Sequence, residues 1–374
     1  GEPNITKRGA GKVTINTVNE TGYTFIEGGS LYVSSLANTV GTECGTLGKA
    51  SKTITLKNEG TLGISSTMTS SHRIVCSSGN GRIDVPSGVT FTQSGAIATS
   101  NSGELTKTGY GAITVTGSMT PAKRRITGGS FTYSGSAYGR ATTLEGSASI
   151  LGSGFLATPL YIEKGAKVAY TTVNRATSSN NLTGSGQITI YCATEKGSTY
   201  YATRTPLQLR MTNFEGTIVA EATYAADGRF TFDTSSGSAL WTLNIPANRF
   251  VQNSGKSLRI GRVTGSGTLG GTCTFSSGGG GGVNTWSVGD DSNFQFDGSV
   301  IDNAKFVKMG TGKMTVTKNW ETSGAVDVNE GTLLSKATIT LGTGALTVGT
   351  NGSLIASSAS TYTSAKKTPV TNSS

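Results

Sequence analysis

The segment Phe306-Val307-Lys308-Met309-Gly310-Thr311-Gly312-Lys313-Met314-Thr315-Val316 decides how the rest of the chain is read. A basic residue precedes two glycines spaced one residue apart, and apolar and polar side chains then alternate. The same grammar occurs at Lys7-Arg8-Gly9-Ala10-Gly11-Lys12-Val13-Thr14-Ile15 and at Lys107-Thr108-Gly109-Tyr110-Gly111-Ala112-Ile113-Thr114-Val115. Three copies of Lys-x-Gly-x-Gly-x-(Val/Ile/Met)-Thr-(Val/Ile) identify a repeat protein. They describe architecture and carry no catalytic chemistry of their own.

Outward from these copies, strand signals run through the whole chain. Short alternating runs such as Ser30-Leu31-Tyr32-Val33, Thr53-Ile54-Thr55-Leu56, Gln187-Ile188-Thr189-Ile190 and Arg229-Phe230-Thr231-Phe232 are punctuated by Gly, Asn, Ser or Asp. No window carries apolar residues at i, i+3, i+4 and i+7, so helices are not expected. Gly-x-Gly recurs at Gly9/Gly11, Gly109/Gly111, Gly184/Gly186, Gly265/Gly267 and Gly310/Gly312. A second unit, Gly-small-apolar, recurs at Gly29-Ser30-Leu31, Gly60-Thr61-Leu62, Gly129-Ser130-Phe131, Gly331-Thr332-Leu333 and Gly352-Ser353-Leu354. A third is Asn213-Phe214-Glu215-Gly216-Thr217-Ile218, with a looser copy from Asn293-Phe294 to Gly298-Ser299-Val300. Glycine permits the positive φ of tight corners. Alternation is expected to turn Val, Ile, Leu and Phe inward and Thr, Ser and Lys outward. Each coil then buries its apolar face only against its neighbours.

The fold class expected is all-β: a right-handed parallel β-helix, a single-chain solenoid with irregular loops. One continuous solenoid is read over residues 1–356, with a weak hinge at 277–282 and a flexible tail or linker at 357–374. Gly310, Gly331 and Gly352 tick at 21 residues. The Lys motif does not: 100 residues separate Lys7 from Lys107, and 201 separate Lys107 from Lys308. At about 22 residues per coil the chain would make roughly 15 to 17 coils.

Composition agrees. The 374 residues include 54 Gly, only 14% charged and 34% hydrophobic residues. The Val, Ile, Thr, Tyr and Phe in alternating runs exclude a disordered chain. The net charge of +10 suits an anionic partner or simply a soluble surface. Basic residues are scattered, apart from Lys123-Arg124-Arg125 and Lys366-Lys367, so no nucleic-acid stripe is present. Cys44, Cys76, Cys192 and Cys273 lack metal or redox spacing and read as buried free thiols, with a Cys44–Cys76 disulfide as the alternative. No apolar run reaches the 18 residues of a membrane helix. The start at Gly1-Glu2-Pro3 reads as a trimmed chain whose export signal lies outside it.

The run from Asn293 through Phe306–Val316 to Val326-Asp327-Val328-Asn329-Glu330-Gly331-Thr332-Leu333 resembles the autotransporter passenger-associated strand repeat. Lys7–Leu31 and Lys107–Phe131 resemble it too. The resemblance implies a right-handed β-helix secreted by a Gram-negative bacterium or displayed on its outer surface. The membrane barrel of a true autotransporter has no counterpart in this sequence.

Chemical motifs are sparse. His72, the one histidine, has no nucleophile-elbow sequence with it. Asp290, Asp291, Asp297 and Asp302 are the carboxylates a polysaccharide lyase or hydrolase would draw on, and each also suits a turn. No helix follows any Gly-x-Gly, so these are not phosphate loops. Tyrosines with basic neighbours in the irregular middle form a candidate glycan surface: Arg124, Arg125, Tyr133, Tyr138, Arg140, Tyr161, Tyr170, Tyr200, Tyr201 and Arg204. The expected function is a non-catalytic, adhesin-like scaffold with an acidic polysaccharide or host glycan as partner, no cofactor, no metal and no nucleic acid. A carbohydrate-active enzyme and a rigid spacer are the rivals. Two carboxylates about 5–10 Å apart in a groove would favour the enzyme. A Thr/Ser/Asn face would favour the scaffold.

Overall fold

Period-two alternation broken by glycine yields strands of 2 to 11 residues, and no helix forms among the described residues. The computed structural model describes residues 1–37, 44–100, 103–121, 123–133, 141–152, 158–173, 180–193, 208–222, 229–232, 234–253, 255–270, 284–357, 362–364 and 371–372. The chain is all-β, and its parallel sheets stack as a β-solenoid of about 14 turns. That is slightly fewer than a uniform 22-residue coil gives, because some coils are enlarged. One such coil separates Thr24–Ile26 from its partner Ile54–Leu56 and contains the antiparallel hairpin Cys44–Gly45/Gly48–Lys49. The glycine tract 277–282 lies outside the described residues.

Two compact units are defined, residues 1–171 and 172–374. In the first, the coils build three parallel faces, all three across residues 54–133 and two of them in the coils before and after. The first face stacks Ile5–Lys7, Thr24–Ile26, Ile54–Leu56, Ile74–Cys76, Ile97–Thr99 and Met119–Thr120. The second runs from Lys12–Ile15 and Ser30–Val33 through Gly81–Asp84 and Glu104–Thr108 to Leu160–Ile162. The third stacks Met68–Ser70, Thr90–Gln93, Ala112–Val115, Ser130–Tyr133 and Ser149–Leu151 against Lys167–Val173.

In-register pairing lines up identical phases of the alternation, so the core is a set of columns. On the second face one column reads Val13, Leu31, Leu62, Ile83, Lys107, Ile126, Leu144 and Ile162. On the third another reads Met68, Phe91, Ile113, Phe131, Ile150 and Tyr170.

The second unit repeats the plan most regularly at residues 257–357. Ile260, Val288, Lys308, Val328 and Val348 form one column, and Trp286, Phe306, Val326 and Leu346 another. Strand Val326–Ser335 serves two faces through a register shift between Val328 and Glu330. Trp241, Trp286 and Trp320 are wholly buried. Each indole N–H donates to a carbonyl of a neighbouring coil: Arg259 O at 3.1 Å, Gly270 O at 3.0 Å and Gly298 O at 3.2 Å. Buried indoles require such an acceptor. Strands Tyr362–Ser364 and Thr371–Asn372 pair onto Ile339–Leu341 and Leu346–Ala356.

Two members of one column differ in cover. Val13 begins it and is 43% exposed, whereas Ile83 has neighbours on both sides and is fully buried. Ile83→Ala is expected to lower unfolding free energy by about 2–5 kcal/mol. Val13→Ala should cost under about 1 kcal/mol, the range of half-exposed positions. Denaturant titration of both variants checks the contrast.

Candidate functional site

The three Lys motifs build one device, and its lysine faces the core. Lys107 and Lys308 are buried and Lys7 nearly so, which corrects the outward placement expected of lysine from alternation. Their register is the apolar phase: Lys107 lies between Ile83 and Ile126, and Lys308 between Val288 and Val328. The Nζ then curls back into the glycine corner. Lys107 Nζ donates to Gly109 O at 2.5 Å, Gly111 O at 2.7 Å and, on the next coil, Gly128 O at 2.7 Å. Lys7 Nζ donates to Arg8 O, Gly9 O and Gly28 O at 2.8, 2.6 and 3.1 Å. Lys308 Nζ donates to Met309 O, Gly310 O and Glu330 O at 2.7, 2.8 and 3.2 Å. An ammonium has three N–H donors, so each cage saturates it.

The corner glycines are required by this geometry. Gly9, Gly109 and Gly310 sit at φ 71°, 75° and 72°, and on the following coil Gly29, Gly129 and Gly331 sit at 64°, 65° and 65°. A Cβ on Gly129 would strike the Gly111 carbonyl and Lys107 Nζ, and one on Gly331 would strike the Gly310 and Gly312 carbonyls. Lys-x-Gly-x-Gly and the later Gly-(Ser/Thr)-(Leu/Phe) unit are therefore two halves of one contact between successive coils. The motif also marks a corner rather than a phase of the coil. Lys7 ends a first-face strand, whereas Lys107 lies one residue before the end of a second-face strand. Its uneven spacing follows.

The remaining Gly-x-Gly corners solve the same problem differently. At Gly184/Gly186 and Gly265/Gly267 the lysine position holds Leu182 and Val263, both buried. The next coil supplies Phe214-Glu215-Gly216 and Phe296-Asp297-Gly298, whose turns are one residue shorter than Ile26-Glu27-Gly28-Gly29. Phe214 and Phe296 are buried, and their rings crowd the space a Cβ on Gly216 or Gly298 would need. The structural counterpart of Phe214 is thus Phe296, not the Phe294 that the sequence comparison aligned with it.

Burial pulls the Lys107 and Lys308 ammonium groups down to about 8, a shift that Asp84 opposes at Lys107 and Arg259 reinforces at Lys308. Lysine in an unfolded chain keeps its proton to about 10.4. The energetic burden of the buried charge is therefore complete below about pH 8 and is relieved as pH climbs toward the unfolded value. Lys107→Met, which strands three carbonyls, is expected to cost about 2–4 kcal/mol at pH 7. The gap from the unsubstituted protein should widen at pH 10, read by guanidinium titration at both pH values, and a gap that narrows would refute the assignment. Gly129→Ala should destabilise by about 2 kcal/mol or more. Gly88→Ala, at φ 79° with open space around it, should lose only about 1 kcal/mol in the same titration.

The outer surface of the first unit has two characters. Along the second face and its corner, charges pair from coil to coil: Glu27 bridges Arg8 at 2.9 Å and Lys57 at 3.3 Å, and Arg82 meets Glu59 at 2.9 Å. Arg125 is held between Glu104, at 2.9 Å, and Glu145. The Tyr32 hydroxyl donates to Asp84 Oδ2 at 2.6 Å across Gly63, whose missing side chain makes room for the ring. Lys12 Nζ lies 3.8 Å from the same ring. Burial and then Asp84 push the Tyr32 phenol up to about 12.

The third face differs. One outward column reads Thr69, Thr92, Thr114, Thr132, Leu151 and Thr171, and its neighbour reads Thr90, Ala112, Ser130, Ser149 and Ala169. Neither column carries a charge.

The structure sorts the candidate glycan residues. Arg124 and Tyr133 are buried and face the core, so neither can contact a ligand on the surface. Arg124 Nε donates to Thr142 Oγ1 at 3.1 Å, and burial lowers its guanidinium to about 10. Tyr170 is buried as well. Strand alternation explains all three, because a corner resets which parity points inward. Arg125 is outward but engaged by its two glutamates. Tyr161 is exposed, two coils further along the Arg125 column. Tyr138, Arg140, Tyr200, Tyr201 and Arg204 lie outside the described residues. Tyr110, 72% exposed between the two corner glycines, was missed although the motif announces it, since the residue between paired corner glycines projects outward.

His72 is buried, and its Nδ1–H donates to Lys52 O at 2.9 Å. Burial lowers its pKa, so the ring is neutral at pH 7. Among the described residues nothing hydrogen-bonds Nε2. Asp290 accepts from Ser292 and pairs with Arg262 at 3.0 Å, and Asp291 accepts from the Thr311 hydroxyl at 2.8 Å. Asp297 accepts from Gln295 and Thr317. Asp302, at φ 61°, offers its backbone carbonyl to Thr322. Cys44 and Cys76 form no disulfide, and Cys44 is only half-buried. Cys76 pairs with Leu56 in an apolar column, and burial pushes its thiol up to about 12. Cys273 and the side chain of Cys192 lie outside the described residues. No group of three His, Cys, Asp or Glu side chains among the described residues converges as a metal site would.

No protein-family model matches the chain, and no curated protein or solved structure is significantly similar to it.

Proposed function

We propose that the chain is a non-catalytic scaffold, secreted or displayed on the outer surface of a Gram-negative bacterium, that presents its solenoid face to glycan. The observation that carries this reading is the pair of uncharged, Thr-rich outward columns on the third face of the first unit; in the second unit Asp290, Asp291 and Asp297 are each engaged by neighbouring side chains. A lyase or glycosidase needs carboxylates free to act as acid, base or nucleophile on a shared substrate. Here Asp290, Asp291 and Asp297 hold coil to coil. The likeness of Lys7–Leu31, Lys107–Phe131 and Asn293–Leu333 to passenger-associated strand repeats supports export. Exposed Tyr110 and Tyr161 supply flat rings of the kind that stack on sugars, and the +10 net charge favours an acidic polysaccharide.

The test is a glycan array probed with the full chain, followed by incubation of any bound polysaccharide and assay for new reducing ends or unsaturated products. Binding without turnover is expected, with affinity reduced at least several-fold in the Tyr110→Ala/Tyr161→Ala variant. Turnover would establish the enzyme instead. Absence of binding across the array would leave the chain a spacer.

A further inference from the structure

The cages formed by the Lys motifs consist wholly of backbone oxygens, and nothing in their construction requires that the ammonium be tethered. Gly109 and Gly129 set their carbonyl directions by positive φ. Parallel pairing then fixes the neighbouring backbone: Thr127 N–H donates to Lys107 O at 3.1 Å, and Ser130 N–H to Gly111 O at 3.2 Å. The same two bonds recur around Lys7, from Glu27 to Lys7 O at 2.8 Å and from Ser30 to Gly11 O at 3.2 Å. Three oxygens thus converge 2.5–2.7 Å from the Lys107 nitrogen, in the way that carbonyls replace the hydration shell of a monovalent cation in a filter.

We propose that each Lys-x-Gly-x-Gly corner is a monovalent-cation site whose resident cation is the lysine's own ammonium. Removing the side chain without filling its volume exposes a site for free ammonium or for potassium, whose bond to oxygen is of similar length. The ligand class is monovalent because no carboxylate oxygen belongs to the cage, whereas calcium and magnesium sites rely on carboxylates. At the Leu182 and Val263 corners, Phe214 and Phe296 take up the room, and no such site exists there. The lysine is in this sense a permanent ligand, which makes the stacking of these coils independent of the ions outside.

The experiment compares Lys7→Ala, Lys107→Ala and Lys308→Ala in the full chain by thermal unfolding at pH 7 in ammonium, potassium or tetramethylammonium chloride of equal ionic strength. Each folded alanine variant is expected to melt lower than the unsubstituted protein in tetramethylammonium. Ammonium should recover at least half of the lost Tm, saturably with concentration, and potassium a part of it. The unsubstituted protein should melt alike in all three salts. Lys107→Leu, which refills the volume with an apolar group, should not respond. Equal Tm values for the alanine variants in all salts, or an equal response from Lys107→Leu, would overturn the proposal. Should Lys107→Ala fail to fold, Lys7→Ala carries the test, because Lys7 belongs to the first coil and lies nearest to solvent.

Discussion

A corner in a parallel solenoid must reverse the chain within a few residues, and the reversal turns backbone carbonyls toward a core that has no water. Every such carbonyl needs a donor. At three corners that donor is a lysine from the strand just completed, whose ammonium collects two oxygens of its own turn and one of the next coil. The contact binds adjacent coils where the apolar columns are interrupted. It also explains why a charged side chain occupies a position otherwise held by Ile, Leu and Val.

Elsewhere the same requirement is met by uncharged donors. Trp286 and Trp320 spend their indole N–H on glycine carbonyls of neighbouring coils, and Thr322 donates to Ala304 O at 2.7 Å. One further place uses a charged donor: the Arg259 guanidinium donates to Ile260 O, Ser287 O and Gly289 O. The conventional features of a large core are absent, since each coil contributes one thin layer. Stability then rests on in-register columns and on satisfied corners together, each coil depending on its neighbours.

The outward faces inherit their properties from this register. Because residues one coil apart stack directly, a threonine at one outward position becomes a column of threonines, and opposite charges one coil apart become ion pairs such as Lys305–Asp327 at 2.8 Å. Partly exposed pairs of this kind contribute little individually. Their larger consequence is local: a carboxylate paired in this way, such as Asp327, is held in place by the neighbouring coil.

The sequence by itself determined the all-β solenoid, because period-two alternation and positive-φ glycines are local properties that any coil must satisfy. It also marked the corners, although not the role of the lysine, since alternation alone places Lys outward. Only the tertiary structure decided that Lys7, Lys107 and Lys308 turn inward, because the third oxygen of each cage comes from a coil some 20 residues away. It likewise separated Arg125 and Tyr161 from Arg124 and Tyr133. Adjacent residues of a strand point to opposite sides, and which side is core depends on where the preceding corner ended.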